Sequence, residues 1–198
     1  GGLGFAGETG RLVHPHRRSA PDDPQPRIVA QVADALRDGG VVAIPTDSCY
    51  SLACRRGDKP AMDRIRQIRQ LDERHHLTLM CRDLSQIAQF ARVDNAQYRL
   101  LKATTPGSYV FILEGSRELP RRVLHPKRKT IGLRIPDHKV ALALLEVLDE
   151  PLLTSTLMLP GDEAPLTEGW EIEDRIGDAL DLVLDGGYCG TEPTTVID

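Results

Sequence analysis

Residues 130–135 read Thr130-Ile131-Gly132-Leu133-Arg134-Ile135, and residues 152–158 read Leu152-Leu153-Thr154-Ser155-Thr156-Leu157-Met158. In the first run Ile131, Leu133 and Ile135 share one strand face, and Thr130, Gly132 and Arg134 share the other. In the second, Thr154 and Thr156 point the same way, with Met158 following. Such alternation is the pattern of strands with one face on a core, so both segments predict parts of a sheet. A second face carrying hydroxyls, a bare glycine and a guanidinium suits a phosphate or carboxylate site; it equally suits a solvated outer face.

Outward from these strands the chain alternates helix and strand patterns. Ile28, Val32, Ala35 and Leu36 form a helical stripe ended by Asp38-Gly39-Gly40, and Val41–Ile44 is a β-branched run stopped by Pro45. Ser51–Cys54 reads as a strand. Asp58 caps a helix with Pro60 in its first turn and Met62, Ile65 and Ile68 inward. A strand over Leu77–Cys81 precedes a helix capped by Asp83, with Leu84, Ile87, Ala88 and Ala91 expected on its buried side. Asn95–Ala103 is helical, Tyr109–Leu113 a strand, Val140–Leu148 a helix. A helix near Ile172–Leu180 and strands at Asp181–Leu184 and Thr194–Ile197 complete the pattern. Roughly eight strands interleaved with six helices predict an α/β domain with helices on the faces of its sheet. Some connections are too short for crossovers, so the sheet is expected to be mixed.

The chain has 198 residues, 40% hydrophobic and 27% charged, which fits one folded domain and argues against disorder, collagen or a disulfide scaffold. Residues 1–26 are rich in Gly and Pro and are expected to form a flexible arm, leaving 27–198 as the domain. The arm contains Gly2-Leu3-Gly4-Phe5-Ala6-Gly7, a G-x-G-x-x-G string without room for the strand and helix that a dinucleotide fingerprint needs. The longest clean apolar run, Val140–Leu145, is far too short for a membrane span, and no charged-then-apolar leader opens the sequence. The expectation is a soluble cytoplasmic protein.

Net charge is −4, yet Arg117–Lys129 packs six Lys/Arg into a short segment while Asp149–Asp198 is acidic. Local basicity in an acidic chain suggests an anion site, or simply a solvated loop. The cysteines, Cys49, Cys54, Cys81 and Cys189, form no C-x-x-C. His75 and His76, on a strand, would face opposite ways, so neither a zinc site nor a disulfide is expected. No P-loop, G-x-S-x-G or H-E-x-x-H occurs. Two further polar clusters are Pro45-Thr46-Asp47-Ser48-Cys49-Tyr50, at the C-terminal end of a strand, and Glu192-Pro193-Thr194-Thr195-Val196-Ile197. The first is where open α/β sheets bind ligands, and also where an Asx or ST turn would sit.

Gly39–Tyr50, Lys129–Pro136, Pro151–Gly161 and Gly186-Gly187 with Thr194-Thr195, in this order, resemble the YrdC-like domain family of threonylcarbamoyl-AMP synthases. Cys81–Leu84, Thr105–Gly107 and Thr156–Gly161 look most similar to its YciO branch. The resemblance, covering about Arg27 to Asp198, implies a twisted mixed sheet with helices on its faces and a large, positively charged concave cavity. It implies an L-threonylcarbamoyladenylate synthase-like nucleotidyltransferase that joins L-threonine, bicarbonate and ATP, with Mg²⁺, for tRNA modification. Catalysis of that kind rests on positioning and charge neutralisation rather than on a dedicated nucleophile. The alternative within the family is a protein that binds double-stranded or structured RNA without synthase activity.

Carried over by position, the resemblance puts threonine contacts at Ser48, Arg134, Thr154 and Thr194 and nucleotide contacts at Arg69, Thr130 and Thr156. Lys127, Arg128 and Lys129 are the RNA or phosphate candidates. Two motifs depart from the synthases: Lys-x-Arg becomes Arg69-Gln70-Leu71, and Ser-x-Asn becomes Thr156-Leu157-Met158. Losing a cation and an amide costs about 1.5–3 kcal/mol each in ligand or transition-state contacts, which predicts impaired synthesis. Family domains also run on past the position of Asp198 with a short segment carrying an arginine near the nucleotide; either this sequence is shortened or that contact is missing.

Overall fold

A computed structural model of the chain describes residues 11–13, 25–72, 75, 77–192 and 194–198, the first three as backbone. Ten strands are formed among them: β1 (Arg11–Val13), β2 (Val42–Ile44), β3 (Ser51–Arg55), β4 (Thr78–Met80), β5 (Ala91–Arg92), β6 (Tyr109–Gly115), β7 (Thr130–Arg134), β8 (Leu152–Thr156), β9 (Leu182–Leu184) and β10 (Thr195–Ile197). The α-helices are α1 (Pro26–Arg37), α2 (Lys59–Arg69), α3 (Leu84–Phe90), α4 (Asn95–Thr104), α5 (Lys139–Leu148) and α6 (Gly169–Ile176).

All ten strands join one mixed sheet in the order β1-β9-β2-β3-β8-β4-β7-β6-β10, with β5 on β6. Pairs β2–β3, β3–β8, β4–β8, β5–β6 and β6–β7 are antiparallel, while β1–β9, β2–β9, β4–β7 and β6–β10 are parallel. The six-residue connection from β2 to β3 leaves no room for a crossover helix, which enforces the antiparallel turn there. This is the expected single-domain α/β fold.

Helices cover both faces. On one, Val32, Leu36, Leu144 and Leu145 of α1 and α5 pack on Val42, Ala53, Met80 and Leu152. On the other, Met62 and Ile65 of α2, Phe90 of α3, Leu101 of α4 and Ile172 of α6 join the cluster of Leu52, Leu79, Leu133 and Leu153. The odd–even split of β8, Leu152 to one core and Leu153 to the other, is the strand period at work. Aspartate side-chain caps start three helices: Asp58 accepts from Ala61 N–H, Asp83 from Gln86 N–H, and Asp94 forms a capping box with Gln97, each stabilising its helix by about 1 kcal/mol.

Several expectations are corrected. The buried side of α3 is Gln86, Ile87 and Phe90, and Ala88 is exposed. Gln86 is tolerated inside because its side-chain oxygen accepts from Arg82 N–H. β1, within the expected arm, lies parallel to β9 at the sheet edge, so the sheet begins upstream of residue 27. The remainder of 1–24, including Gly2–Gly7, lies outside the described residues. The strand expected from Leu77 starts at Thr78, with exposed His75 in the bend before it and His76 outside the described residues.

Register fixes what shares a face. Thr78 of β4 lies beside both Gly132 and Thr154, and Ala53 extends the row through β3. Two residues along, towards the same end of the sheet, Thr130 and Thr156 stand level on that face. Two residues the other way, Arg134 and Leu152 are level through Met80.

Candidate ligand site

The β2–β3 loop is built on Thr46. Its Oγ1 accepts from the N–H groups of Ser48 and Cys49, both at 3.2 Å, and donates to Cys49 O at 2.6 Å. This ST turn makes the loop compact, and Thr46, Ser48, Cys49 and Tyr50 are all buried. Tyr50 anchors the far side: its hydroxyl donates to Gly187 O at 2.6 Å and accepts from Gly186 N–H at 3.0 Å. Burial pushes the Tyr50 phenol pKa well above its ordinary value. Pro45 presses on Gly186, where an added Cβ would stand 2.6 Å from the proline ring.

Arg134 closes the cluster. Only 3% exposed, it donates through one terminal nitrogen to Ser48 Oγ at 3.3 Å and through the other to Gly107 O at 3.2 Å and to the Asp47 carboxylate, its ion-pair partner. Its Nε–H is buried with no acceptor among the described residues. Asp47 also accepts from Ser108 Oγ at 3.3 Å, and Ser108 O accepts from Thr195 N–H at 2.9 Å, which brings the residue after Thr194 alongside. β2 and β7 are four steps apart in the sheet, about 19 Å if it were flat. The loop leaving β2 nonetheless meets the Arg134 side chain of β7, a reach that the twist of a sheet shortens.

Arg69, at the end of α2, donates to Ser155 Oγ at 2.7 Å and Met158 O at 3.1 Å. Burial pulls its pKa below the ordinary arginine value, and the neighbouring Cys49 opposes that. Cys49 Sγ lies 3.8 Å from Ser48 Oγ and 3.9 Å from Thr156 Oγ1, so Arg134, Ser48, Cys49 and Thr156 form a connected cluster, while Arg69 bonds Ser155, on the other face of β8 from Thr156.

The structure thus brings Ser48, Arg134 and Thr156 together, with Thr194 beside them and Arg69 near Cys49 but bonded to Ser155 and Met158. Thr154 shares their sheet face, but its hydroxyl is used within the sheet, donating to Thr78 O at 3.1 Å. Thr130 stands level with exposed Thr156, at the opposite end of β7 from Arg134. One reading is corrected: Gly132 is not open to a ligand. A Cβ there would lie 2.8 Å from Val110 Cγ1, because the β6 side chains already fill that space. Lys127, Arg128 and Lys129 are exposed on the loop before β7, and Lys129 Nζ bonds Pro126 O within it. All four cysteines are buried and free. Sequence reasoning passed over Asp47, Tyr50, Gly107, Ser108 and Ser155; Asp47 and Tyr50 lie inside the polar stretch Pro45–Tyr50, but nothing local marks them as partners of distant groups.

No helix of the described residues is long and apolar enough to cross a membrane. Fold and cluster together define an α/β domain whose mixed sheet holds a buried arginine against a compact hydroxyl-rich loop. The chain belongs to the Sua5/YciO/YrdC family, whose model, described as Telomere recombination, matches residues 34–198. It is 53% identical over 178 residues to a protein of Escherichia coli K12 named as the uncharacterized protein YciO, covering 90% of this chain and 86% of that one. The crystal structure of E. coli YciO superposes with a TM-score of 0.87 at 50% identity, over 95% of this chain and 88% of that one. A threonylcarbamoyl-AMP synthase of Halorhodospira halophila is 30% identical over 180 residues, 90% of this chain and 93% of its own. The fold is also that of P. abyssi Sua5 complexed with L-threonine, with a TM-score of 0.81 at 24% identity over 95% of this chain and 53% of that one.

Proposed function

We propose that the chain is a threonylcarbamoyl-AMP synthase of reduced turnover, acting on L-threonine, bicarbonate and ATP. The observation that carries this reading is Arg134: a buried guanidinium beside Ser48, with one N–H lacking an acceptor, at the position where the family resemblance expects a threonine carboxylate. A ligand carboxylate takes up that free donor or displaces Asp47. In the reaction the threonine amine attacks bicarbonate with loss of water. The resulting carbamate oxygen attacks the α-phosphorus of ATP, and pyrophosphate leaves.

The residues suit anions in general. Arg69 and the level pair Thr130 and Thr156 supply a cation and hydroxyls for phosphate oxygens. Among the described residues no group of three or more His, Cys, Asp or Glu is arranged to hold a metal ion. Mg²⁺ would therefore be held chiefly by the triphosphate oxygens, its usual mode with nucleotides.

Reduced turnover follows from positions 71 and 158. Leu71 replaces a cation, and Met158, half-buried, offers Arg69 a carbonyl but no amide. L-threonine-dependent pyrophosphate release from ATP tests the reading, with Leu71→Arg/Met158→Asn beside the wild type and the melting temperature of both recorded. Each of the two restored contacts is expected to return about ten- to a hundredfold, at 1.4 kcal/mol per decade. A folded double variant that binds ATP and releases no pyrophosphate with threonine overturns it.

A further inference from the structure

Two of the four buried thiols, Cys49 and Cys189, stand at one place, the seam between the β2–β3 loop and the segment 186–190. Cys49 Sγ lies against the Ser48 and Thr156 hydroxyls, and Cys189 Sγ lies 3.8 Å from Thr46 O in the same loop. The backbones approach as well: a Cβ added at Gly190 would stand 3.2 Å from Ser48 O, the carbonyl just before Cys49. Burial pushes the Cys189 thiol pKa up, the contact with Thr46 O opposes this, and Cys49 adds to it, which puts the two thiols within electrostatic reach. Cys54 and Cys81 lie deep in the main apolar cluster, and the neighbours that act on their thiols are charged side chains.

Both sides of the seam are anchored. Thr46 Oγ1 accepts from Cys49 N–H at 3.2 Å and donates to Cys49 O at 2.6 Å. Cys189 N–H donates to Thr167 O at 2.9 Å, and the Tyr50 hydroxyl holds Gly186 and Gly187. A bridge needs Cα atoms roughly 4.4–6.8 Å apart, the range of adjacent backbones in contact. The proposed synthase reaction uses neither thiol.

We propose that hydroperoxide oxidation joins Cys49 and Cys189 in a reversible disulfide, and that this bond takes the ligand cluster apart. The Cys49 thiolate attacks one oxygen of hydrogen peroxide, the O–O bond breaks, and the departing hydroxide takes up the proton of the original thiol and leaves as water. The Cys189 sulfur then attacks the sulfenyl sulfur of Cys49, the S–O bond breaks, and the hydroxyl leaves with the Cys189 proton as a second water. Two thiols are oxidised and one peroxide is reduced. Cys49 attacks first because it stands in the ligand cluster with the Arg69 cation in electrostatic reach; Cys189, the more reluctant thiol, resolves. The new bond draws Cys49 Sγ off the Ser48 and Thr156 hydroxyls and pulls the Thr46 turn out of shape. The bridge itself is independent of the synthase reading; only its effect on L-threonine rests on that reading.

Peptide mass spectrometry of the folded chain after hydrogen peroxide, digested without reductant, tests it. Expected is a linked peptide pair joining Cys49 to Cys189, lost on treatment with dithiothreitol. In Cys189→Ala the resolving thiol is gone, so the Cys49 sulfenic acid persists and dimedone labels Cys49. Calorimetry with L-threonine is expected to show affinity falling tenfold or more on oxidation and returning with dithiothreitol. Hydrogen exchange, which needs no ligand, is expected to speed up at the Ser48 and Cys49 N–H groups in the oxidised protein. The proposal is overturned if no linked pair forms, if the pair joins other cysteines, or if dimedone labels Cys54 or Cys81 and leaves Cys49 unlabelled. A bridged protein with unchanged exchange at Ser48 and Cys49, or one that binds L-threonine as tightly as its reduced form, overturns the claim that the bond takes the cluster apart. Reduced protein that binds no L-threonine refutes the synthase reading instead, and the linked peptides and hydrogen exchange still decide the bridge.

Discussion

Arg134 and Asp47 form a buried ion pair, with side chains 4% and 11% exposed, although four steps of the sheet separate the strands that carry them. Either group alone would be a desolvated charge. Arg134→Met or Asp47→Leu is therefore expected to destabilise the protein by about 3–5 kcal/mol, and the double variant by clearly less than the sum. Urea denaturation of the four proteins measures this; additive losses would show that the pair does not interact.

Gly132 marks a close approach. Gly132→Ala drives a methyl group to within 2.8 Å of Val110 Cγ1, and a β-branched neighbour on a central strand has little freedom to move away. A loss of about 1–3 kcal/mol is expected, largely recovered by adding Val110→Ala. Thermal melts of single and double variants decide it, and an unperturbed Gly132→Ala melt removes the packing explanation.

Gly186 governs the loop from outside it. Gly186→Ala pushes on the Pro45 ring, the first residue of the loop that carries Ser48, while Tyr50 holds the other side to Gly186 and Gly187. Calorimetric affinity for L-threonine is expected to fall by tenfold or more, with Pro45→Ala restoring part of it. Unchanged affinity in a folded Gly186→Ala protein would uncouple the glycine from the site.

Burial pushes the thiol pKa of Cys189 up to about 11 and that of Cys54 up to about 12. Above the ordinary thiol range the unfolded chain releases these protons while the folded chain keeps them. The native state then binds more protons, so stability falls as pH rises. The contribution is complete below about pH 8.5 and is lost across the window up to pH 11–12. Melting temperatures from pH 7 to 11 should decline at the alkaline end, less steeply in Cys54→Ala. A flat profile contradicts the assignment.

Element order was legible in the sequence because strand and helix periods are local properties. The alternation of Thr130–Arg134 and Leu152–Thr156, the caps at Asp58 and Asp83 and the stop at Pro45 each depend on a few adjacent residues. Family membership was legible too, since the hydroxyl-rich loop and the Gly-Leu-Arg strand keep their order along the chain. Charge partners were not. Asp47 read as one residue of a polar turn, and only the folded sheet carries it to Arg134, 87 residues away. Gly132 read as an opening because a missing side chain is visible in sequence while the Val110 that fills the space belongs to another strand. The basic run at 117–129 read as a single cluster, yet folding sends Lys127 and Arg128 to a groove shared with α2 and leaves Lys129 bonded within its own loop. Period and composition determine which faces a segment can offer. Which distant groups those faces meet depends on sheet register and twist, and these are set by packing of the whole chain.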